Sequence, residues 1–375
     1  MAVHYVSSTT GERFAADVPL WRDPDGAPLD LSPGEGLSPG EVDFRERSLW
    51  RYGAAIRVDP AARISMGEGF TPLVPRRFLG GNVRFKLEFV QPTGSYKDRG
   101  VAVMMSYLKG AGVEAILEDS SGNAGASMAA YAAAARIACT ILVPDTIPEG
   151  KRVQMAGMGA DVRRIRGTRQ DVADAALAEA ERIFYASHNW QPFFLEGTKT
   201  LAFELWEQFG FDLPDHVVVP LGYGANVLGL EIGFRELLAR GEIARIPAIH
   251  AAQAANCAAF AAAWDAGADD FVPFDPKPTV ADGIASVRPV RMRAVLAAIR
   301  ATGGTVTAVS EAEIAAALRT MMADGFFVEP TSATAPAALA RLYGAGTIDR
   351  ADSTVVVLTG SGLKATEKIA ALLSA

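Results

Sequence analysis

The stretch NVRFKLEFVQPTGSYKDRGVAVMMSYLKG, residues 82–110, decides the reading of the fold. It passes from the apolar run NVRFKLEF, through a turn holding Gly and Pro, into an apolar helical pattern at Val101–Lys109 that Gly110 closes. The same order recurs down the chain. The runs VEAILED, CTILVP, DVRRIR, DHVVVPLG, IPAIHAAQ and STVVVLTG alternate with Ala-rich helical stretches at Gly125–Arg136, Arg169–Arg182, Leu228–Arg240 and Glu311–Met322. Strand–helix alternation predicts an α/β fold of mostly parallel twisted sheets covered by helices. The helix ends agree, since Gly241 and Gly325 follow their helices and Ser310 with Glu313 forms a capping box. Residues 271–278, with three prolines, predict a loop before a helix that starts near Arg291. No internal repeat is present.

A chain of 375 residues exceeds the needs of one core, so two domains are expected. Half the residues are hydrophobic and 21% are charged, enough apolar surface to offset chain entropy and exclude a disordered protein. Lys plus Arg number 36 against 43 Asp plus Glu, and a net charge of −7 is poorly suited to gripping a phosphate backbone. Nucleic acid is therefore not an expected partner. Cys139 and Cys257 lie far apart with no Cys or His beside them, so neither a disulfide framework nor a metal site is expected and a reducing cytoplasm fits. The start MAVHYVSSTTGERF has no basic segment leading into an apolar one, and the most apolar stretch, Ala124 to Val143, is interrupted by Arg136. No secretion signal or membrane partner is expected.

Four Gly-rich turns lie between a strand and a helix, where exposed backbone N–H groups meet the positive end of a helix dipole. In the first, Gln91 to Gly100, Ser95 and Asp98 are spaced as a capping box that puts Lys97 in the first helical turn. A cation is disfavoured there and partial burial lowers the basicity of an amine, which suits a nucleophile; a solvated surface lysine is the other reading. The second, Ser120-Ser121-Gly122-Asn123-Ala124-Gly125, is either an ordinary helix cap or a seat for a substrate carboxylate. The third, Leu221-Gly222-Tyr223-Gly224-Ala225-Asn226, suits a phosphate held by backbone amides. It lacks the Gly-Lys-Ser/Thr ending of a P-loop, and its glycines at 222, 224 and 229 miss the dinucleotide spacing. The fourth, Thr359-Gly360-Ser361-Gly362-Leu363-Lys364, puts a neutral hydroxyl at a strand end, where it can meet a heterocyclic nitrogen.

These motifs together resemble the fold-type II pyridoxal-phosphate enzymes, the tryptophan synthase beta-like family, and within it most closely the threonine synthase-like members. PTGSYKDRG is similar to that family's PTGSFKDRG, which implies that Lys97 carries pyridoxal 5′-phosphate as a Schiff base and is the catalytic residue. SSGNAG resembles the substrate-carboxylate loop, implying substrate contacts from Ser120, Ser121, Gly122, Asn123 and Ala124, with Asn123 also touching the cofactor. GYGAN resembles the phosphate cup, which falls on Gly222, Tyr223, Gly224, Ala225 and Asn226, and TGSGLK implies that Thr359 meets the pyridine nitrogen. SLWRY, GEGFTPLV, LEGTKT, ADGIA and EPTSA fall in the family's order, so the resemblance runs from about residue 47 to the C-terminus. It implies an elimination or replacement on a small L-amino acid, O-phosphohomoserine and water giving threonine and phosphate. A homodimer is usual in families of this kind. A neutral Thr359 cannot protonate the ring nitrogen, which favours elimination over transamination.

Three departures qualify the resemblance. The segment HYVSSTTGERF keeps the outline of a zinc-ribbon-like segment without its cysteines, so no metal is expected. The phosphate cup carries Tyr223 and Ala225 in place of smaller or polar residues. In Ser187-His188-Asn189-Trp190-Gln191-Pro192-Phe193-Phe194, Phe194 stands where the family carries an arginine that helps to hold the substrate phosphate. A phenyl ring cannot neutralise a dianion, which keeps open a serine or threonine dehydratase, or a β-replacement enzyme, acting on a non-phosphorylated substrate. His188 and Asn189 are candidate substrate contacts, His188 as an acid or base or as a hydrogen-bonded structural group. Lys199 and the arginines at 163, 164, 166 and 169 are the other cations available, although those arginines read as a solvated face. The expected organisation is an irregular extension over 1–46, a larger cofactor-binding domain over 47–97 and 186–375, and a smaller mobile substrate-carboxylate domain over 98–185. The cofactor is expected in the cleft between the two domains.

Overall fold

The computed structural model describes residues 3–374 apart from 146, 148 and 168. The chain divides into two compact units, residues 1–69 with 97–200 and residues 70–96 with 201–375. Unit 1 opens with β1 (His4–Ser7), β2 (Arg13–Ala15) and β3 (Leu29–Leu31). The chain enters unit 2 for β4 (Leu73–Phe78) and β5 (Gly81–Leu87). It returns to unit 1 for α1 (Lys97–Gly110), β6 (Ala115–Glu118), α2 (Asn123–Ala135), β7 (Ala138–Pro144), α3 (Glu149–Gly157), β8 (Asp161–Ile165), α4 (Arg169–Glu179), β9 (Phe184–Tyr185) and α5 (Phe193–Thr198). Next come α6 (Thr200–Gln208), β10 (His216–Pro220), α7 (Ala225–Arg240), β11 (Ala248–Ala254), α8 (Ala259–Asp265) and α9 (Met292–Ala301). The chain closes with β12 (Val306–Val309), α10 (Glu311–Ala323), α11 (Pro330–Gly344), β13 (Thr354–Leu358) and α12 (Thr366–Ser374).

In unit 1 a parallel sheet of order β8-β7-β6-β9 is the main layer. The segment expected to be irregular instead carries a small antiparallel sheet of order β2-β1-β3. Strands of three or four residues are too short for alternation to show in the sequence; tertiary contacts hold them. Tyr5 on β1 is buried, its hydroxyl donates to that of Tyr107 at 2.6 Å, and Phe193 stacks on the Tyr107 ring at 3.7 Å.

The unit boundaries differ from the expected 47–97, 98–185 and 186–375. Residues 186–200 lie in unit 1 because α5 packs closely on α1. A side chain at Gly100 would run into the Phe194 ring, and one at Gly197 into the Arg99 carbonyl. Residues 47–69 lie there because the buried Glu68 carboxyl accepts from Trp50 Nε1 at 3.0 Å and from the Tyr131 hydroxyl on α2 at 2.8 Å. Burial pushes that carboxyl above its ordinary range.

Unit 2 is built on a sheet of order β12-β11-β10-β13-β5-β4, parallel except for β4. Pro75 is tolerated on β4 because that strand is the edge. β13 is buried throughout, as a central parallel strand must be. α10 starts at the expected capping box of Ser310 and Glu313, and α7 ends at Gly241 with φ 83°. Helix α11, with Pro336 inside it, was not legible in the sequence; Ala335, Ala338 and Leu339 bury it against the sheet.

At the starts of β10 and β11, His216 Nδ1 lies 3.1 Å from His250 Nε2, and His250 Nδ1 lies 2.9 Å from the Thr305 hydroxyl. Burial, with the neighbouring His216 second, lowers His250 to about 4. The folded state thus resists a proton that the unfolded chain accepts near pH 6.5. Stability is full above that pH and falls as pH drops from about 6.5 towards 4, by on the order of 3 kcal/mol. Urea midpoints between pH 7 and 4 should show this fall, and His250→Gln should flatten it.

Candidate active site

In unit 1, β6 and β9 are parallel neighbours, so the segments that leave their C-terminal ends start side by side. β6 ends on Glu118 and is followed by Asp119 and the loop Ser120-Ser121-Gly122; after β9 come Ser187, His188 and Asn189. The loop opens α2 at Asn123, and its N-cap Gly122 makes no side-chain capping bond, so the first amides of α2 have no side-chain acceptor from the cap. Ser120, Ser121, Gly122 and Asn123 are half-buried, whereas Ala124 is buried. A side chain at Gly125 would strike the Ser120 carbonyl, so only glycine lets the loop fold back over its helix.

Lys97 is the first residue of α1, as expected, and is half-buried. The expected capping box is not formed. Asp98 is fully buried and its Oδ1 accepts from Ser127 Oγ of α2 at 2.6 Å, while Ser95 Oγ is buried without a hydrogen-bond partner. A helix-to-helix bond has replaced the local one, tying the turn that carries Lys97 to the turn that follows Asn123. Arg99, also fully buried, donates to Thr200 Oγ1 at 3.4 Å. The Lys97 ammonium lies 5.4 Å from the centre of the Phe194 ring, whose other neighbours include Gly100 and, at 5.6 Å, the His188 ring.

Of the other cations, Lys199 is fully buried and paired with Glu196 at 3.0 Å, which also takes Arg57 at 2.7 Å. Burial would raise Glu196, but Lys199 and Arg57 together hold it well below the usual carboxylate range. Arg163 pairs with Asp161 and Arg164 with Glu149 at the surface. The side chain of Arg169 lies outside the described residues.

In unit 2, β10, β13 and β5 are parallel neighbours, so the turns after all three emerge at one edge of the sheet. The turn after β5 is stitched to the turn after β13. Tyr96 N donates to the Thr359 carbonyl at 3.0 Å, Ser361 N to the Gly94 carbonyl at 2.9 Å, and Lys364 Nζ to the Thr93 carbonyl at 2.9 Å. The buried Thr359 hydroxyl lies 3.1 Å from Ser332 Oγ, which also accepts from Gly360 N at 2.9 Å. A neutral hydroxyl held in this way can donate to an acceptor nitrogen or accept from a donor.

The turn after β10 leads into the 16-residue helix α7 through Gly224, whose φ of 96° favours glycine. Gly224 makes no side-chain cap, so the start of α7 presents amides and the positive end of its dipole. A side chain at Gly222 would press on the Ile284 backbone and one at Gly224 on Val295, so both glycines permit close approach. Ala225 and Asn226 are buried in the first turn, Tyr223 is half-buried, and Asn226 Oδ1 has no hydrogen-bond partner. Such a cradle can hold a dianion. The expected site residues therefore fall into two sets, one in each unit. Sequence reasoning missed the Asp98–Ser127 bond, the support of Thr359 by Ser332, and Glu118, whose only local signal is an acidic residue closing an apolar strand.

Among the described residues no helix is long and apolar enough to cross a membrane, and no group of three or more His, Cys, Asp or Glu could hold a metal ion. Residues 64–360 match the family described as pyridoxal-phosphate dependent enzyme. Threonine synthase of Methanocaldococcus jannaschii is 36% identical over 337 residues, 88% of this chain and 83% of that protein. Threonine synthase of Mycobacterium leprae is 32% identical over 80% of this chain and 83% of its own length. Among solved structures, the processed form of threonine deaminase isoform 2 from Solanum lycopersicum matches with a TM-score of 0.72 at 22% identity, covering 95% of this chain and 99% of that one. Maize serine racemase matches with a TM-score of 0.68 at 20% identity, over 81% and 92% of the two chains. These structures share the fold of the chain. The family match over most of the length and the relatives above 30% identity lead to one assignment: the chain belongs to the pyridoxal-phosphate dependent enzymes, in their fold-type II, threonine synthase-like branch, and is a lyase that uses pyridoxal 5′-phosphate.

Proposed function

We propose that the chain converts O-phosphohomoserine and water to threonine and phosphate. The observation that carries the reading is the placement of Lys97 at the first position of α1, with Asp98 and Arg99 beside it fully buried and held. The names of the curated relatives support the substrate.

The residues present fit the cofactor. The uncapped start of α7 behind Gly222 and Gly224, with Asn226 in its first turn, would hold its phosphate through backbone amides, and the Thr359 hydroxyl would meet its ring nitrogen. Tyr223 and Ala225 contribute backbone amides to the same cup. Bound pyridoxal phosphate supplies an electron sink next to the substrate α-carbon. The amides at the start of α2, with Ser120, Ser121, Gly122, Asn123 and Ala124, bind the substrate carboxylate and so orient the α-carbon. Lys97 takes the α-proton and later returns it as the general base and acid of the site. Asn123, His188 and Asn189 are the remaining residues of this unit that the reading gives to the bound substrate, and Asn123 would also serve the cofactor. Asp98 and Ser127 keep α1 and α2 in register, which fixes the lysine against the carboxylate loop.

The test is kcat/KM of the cofactor-loaded protein for O-phosphohomoserine, homoserine, serine and threonine, following phosphate, ammonia and threonine together. Phosphate and threonine should appear in equal amounts from O-phosphohomoserine, with a kcat/KM well above that of the other substrates. Faster deamination of serine or threonine, with no threonine formed from the phosphorylated substrate, would establish a dehydratase instead.

A further inference from the structure

The hairpin of β4 and β5 carries three arginines that the reaction above does not use. Its register pairs Pro75 with Arg84 and Arg77 with Asn82, so these four residues share one face of the sheet and Arg77 and Arg84 are diagonal neighbours across the strands. Arg76, paired with Val83, starts from the opposite face. All three arginines nevertheless line one open cleft of about 430 Å³, completed by Pro75, Asn82 and Val83. The cleft lies beside the first half of β5, away from the end of the strand that leads to Lys97.

Surface arginines elsewhere in the chain are paired: Arg63, Arg152, Arg245, Arg300 and Arg341 each meet a carboxylate. Arg76, Arg77 and Arg84 are exposed, and among the described residues no carboxylate stands within ion-pair distance of any of them, although the chain has a net charge of −7. Two of them are held by aromatic rings instead. Arg84 lies over Phe209 at 4.2 Å and Arg76 over Phe326 at 5.3 Å, and Arg76 Nη1 donates to the Pro75 carbonyl at 2.9 Å. Stacking orients a guanidinium plane while its N–H fork stays available to an anion. Charge on an edge strand also guards it against pairing with another chain, and Arg76 and Arg77 serve that need on β4. Arg84 does not, for β5 is an inner strand between β13 and β4. Like charges gathered on one face destabilise the fold, and an anion seated among them reverses that effect.

We infer that this cleft binds a small organic phosphate, its dianionic group held by Arg77 and Arg84, with Arg76 at the rim and the Asn82 amide as a further donor. Three cations suit a ligand with more than one negative charge, and the forked donors of arginine match phosphate oxygens. The space exceeds what a bare phosphate ion fills, which leaves room for an organic part. The site is distinct from the cup at the start of α7 and stands whether or not the proposed reaction does.

The probe is glycerol 3-phosphate, titrated calorimetrically at low ionic strength into cofactor-loaded protein, with glycerol and sulfate as controls. Wild type should bind it more tightly than sulfate and should not bind glycerol. Arg77→Gln and Arg84→Gln should each weaken this binding by roughly 10- to 100-fold, the loss of one charge-assisted contact, and Arg84→Lys by a smaller factor because the charge remains without the fork. Basal turnover and the urea midpoint should not fall in any of the three, since the substituted side chains are exposed and outside the active site. Binding that persists undiminished in both Gln variants would place the anion elsewhere and overturn the inference. A wild type that binds no glycerol 3-phosphate would do the same and leave the arginines as guards of the sheet edge, and equal affinity for sulfate would reduce the cleft to an unspecific cationic patch.

Discussion

Lys97→Ala is expected to lower kcat/KM by on the order of 10⁴-fold or more, because on the proposed mechanism one substitution removes both the covalent anchor and the proton carrier of the site. The folded protein should survive. Lys97 is only half-buried, and the turn that holds it is secured by Asp98 to Ser127 and by Arg99 to Thr200 rather than by the lysine itself. The variant should therefore match the wild type in its unfolding midpoint. Borohydride treatment of the loaded wild type, followed by peptide mapping, should leave the cofactor on the peptide that contains Lys97, and on no peptide of the variant. Turnover near the wild-type level, or a modified peptide elsewhere, would remove Lys97 from its role and with it the proposed mechanism.

The largest effect on stability is expected at Glu204. Its carboxylate and the Lys86 ammonium are both fully buried and in contact. The ammonium also donates to the Thr71 carbonyl at 2.7 Å and to Gln208 Oε1 at 2.8 Å, and the carboxylate accepts from Phe70 N at 2.7 Å and Thr71 N at 2.8 Å. Glu204→Ala leaves Lys86 charged in the interior and two amides without their acceptor. A loss of about 3–5 kcal/mol is expected, read as a fall in the urea midpoint. The double variant Lys86→Met with Glu204→Leu should recover part of that loss, because removing both charges abolishes the uncompensated one. A single variant as stable as wild type would mean that Lys86 discards its proton or reaches water.

The pair also shows why unit 2 begins at Phe70. Phe70, in the left-handed region at φ 48°, and Thr71 both bind the Glu204 carboxylate from α6, so the segment before β4 is anchored to a helix more than 130 residues away. In the sequence, Lys86 and Glu204 read as an ordinary strand lysine and helix glutamate.

How much was legible follows from the range of the interactions involved. The period of 2 in NVRFKLEF and the helical period after it are local, as are the glycines at 222 and 224 and the capping pair Ser310 and Glu313. The amino-acid sequence by itself therefore determined the strand–helix alternation, the Gly-rich turns after the strands and the position of Lys97 at a helix start. It could not determine which turns meet. The order β10-β13-β5 decides that the turns after these strands share one sheet edge, and the pairing of β6 with β9 decides that Glu118 meets His188. Short elements were likewise decided by tertiary contact, for three or four residues of β1, β2 or β3 carry too little periodicity to register and are held by Tyr5 on Tyr107. The capping pair at Ser95 and Asp98 shows the same competition at one residue. A local bond that spacing alone permits gave way to a buried one with Ser127, because a carboxylate inside the protein must take the donor that packing brings to it.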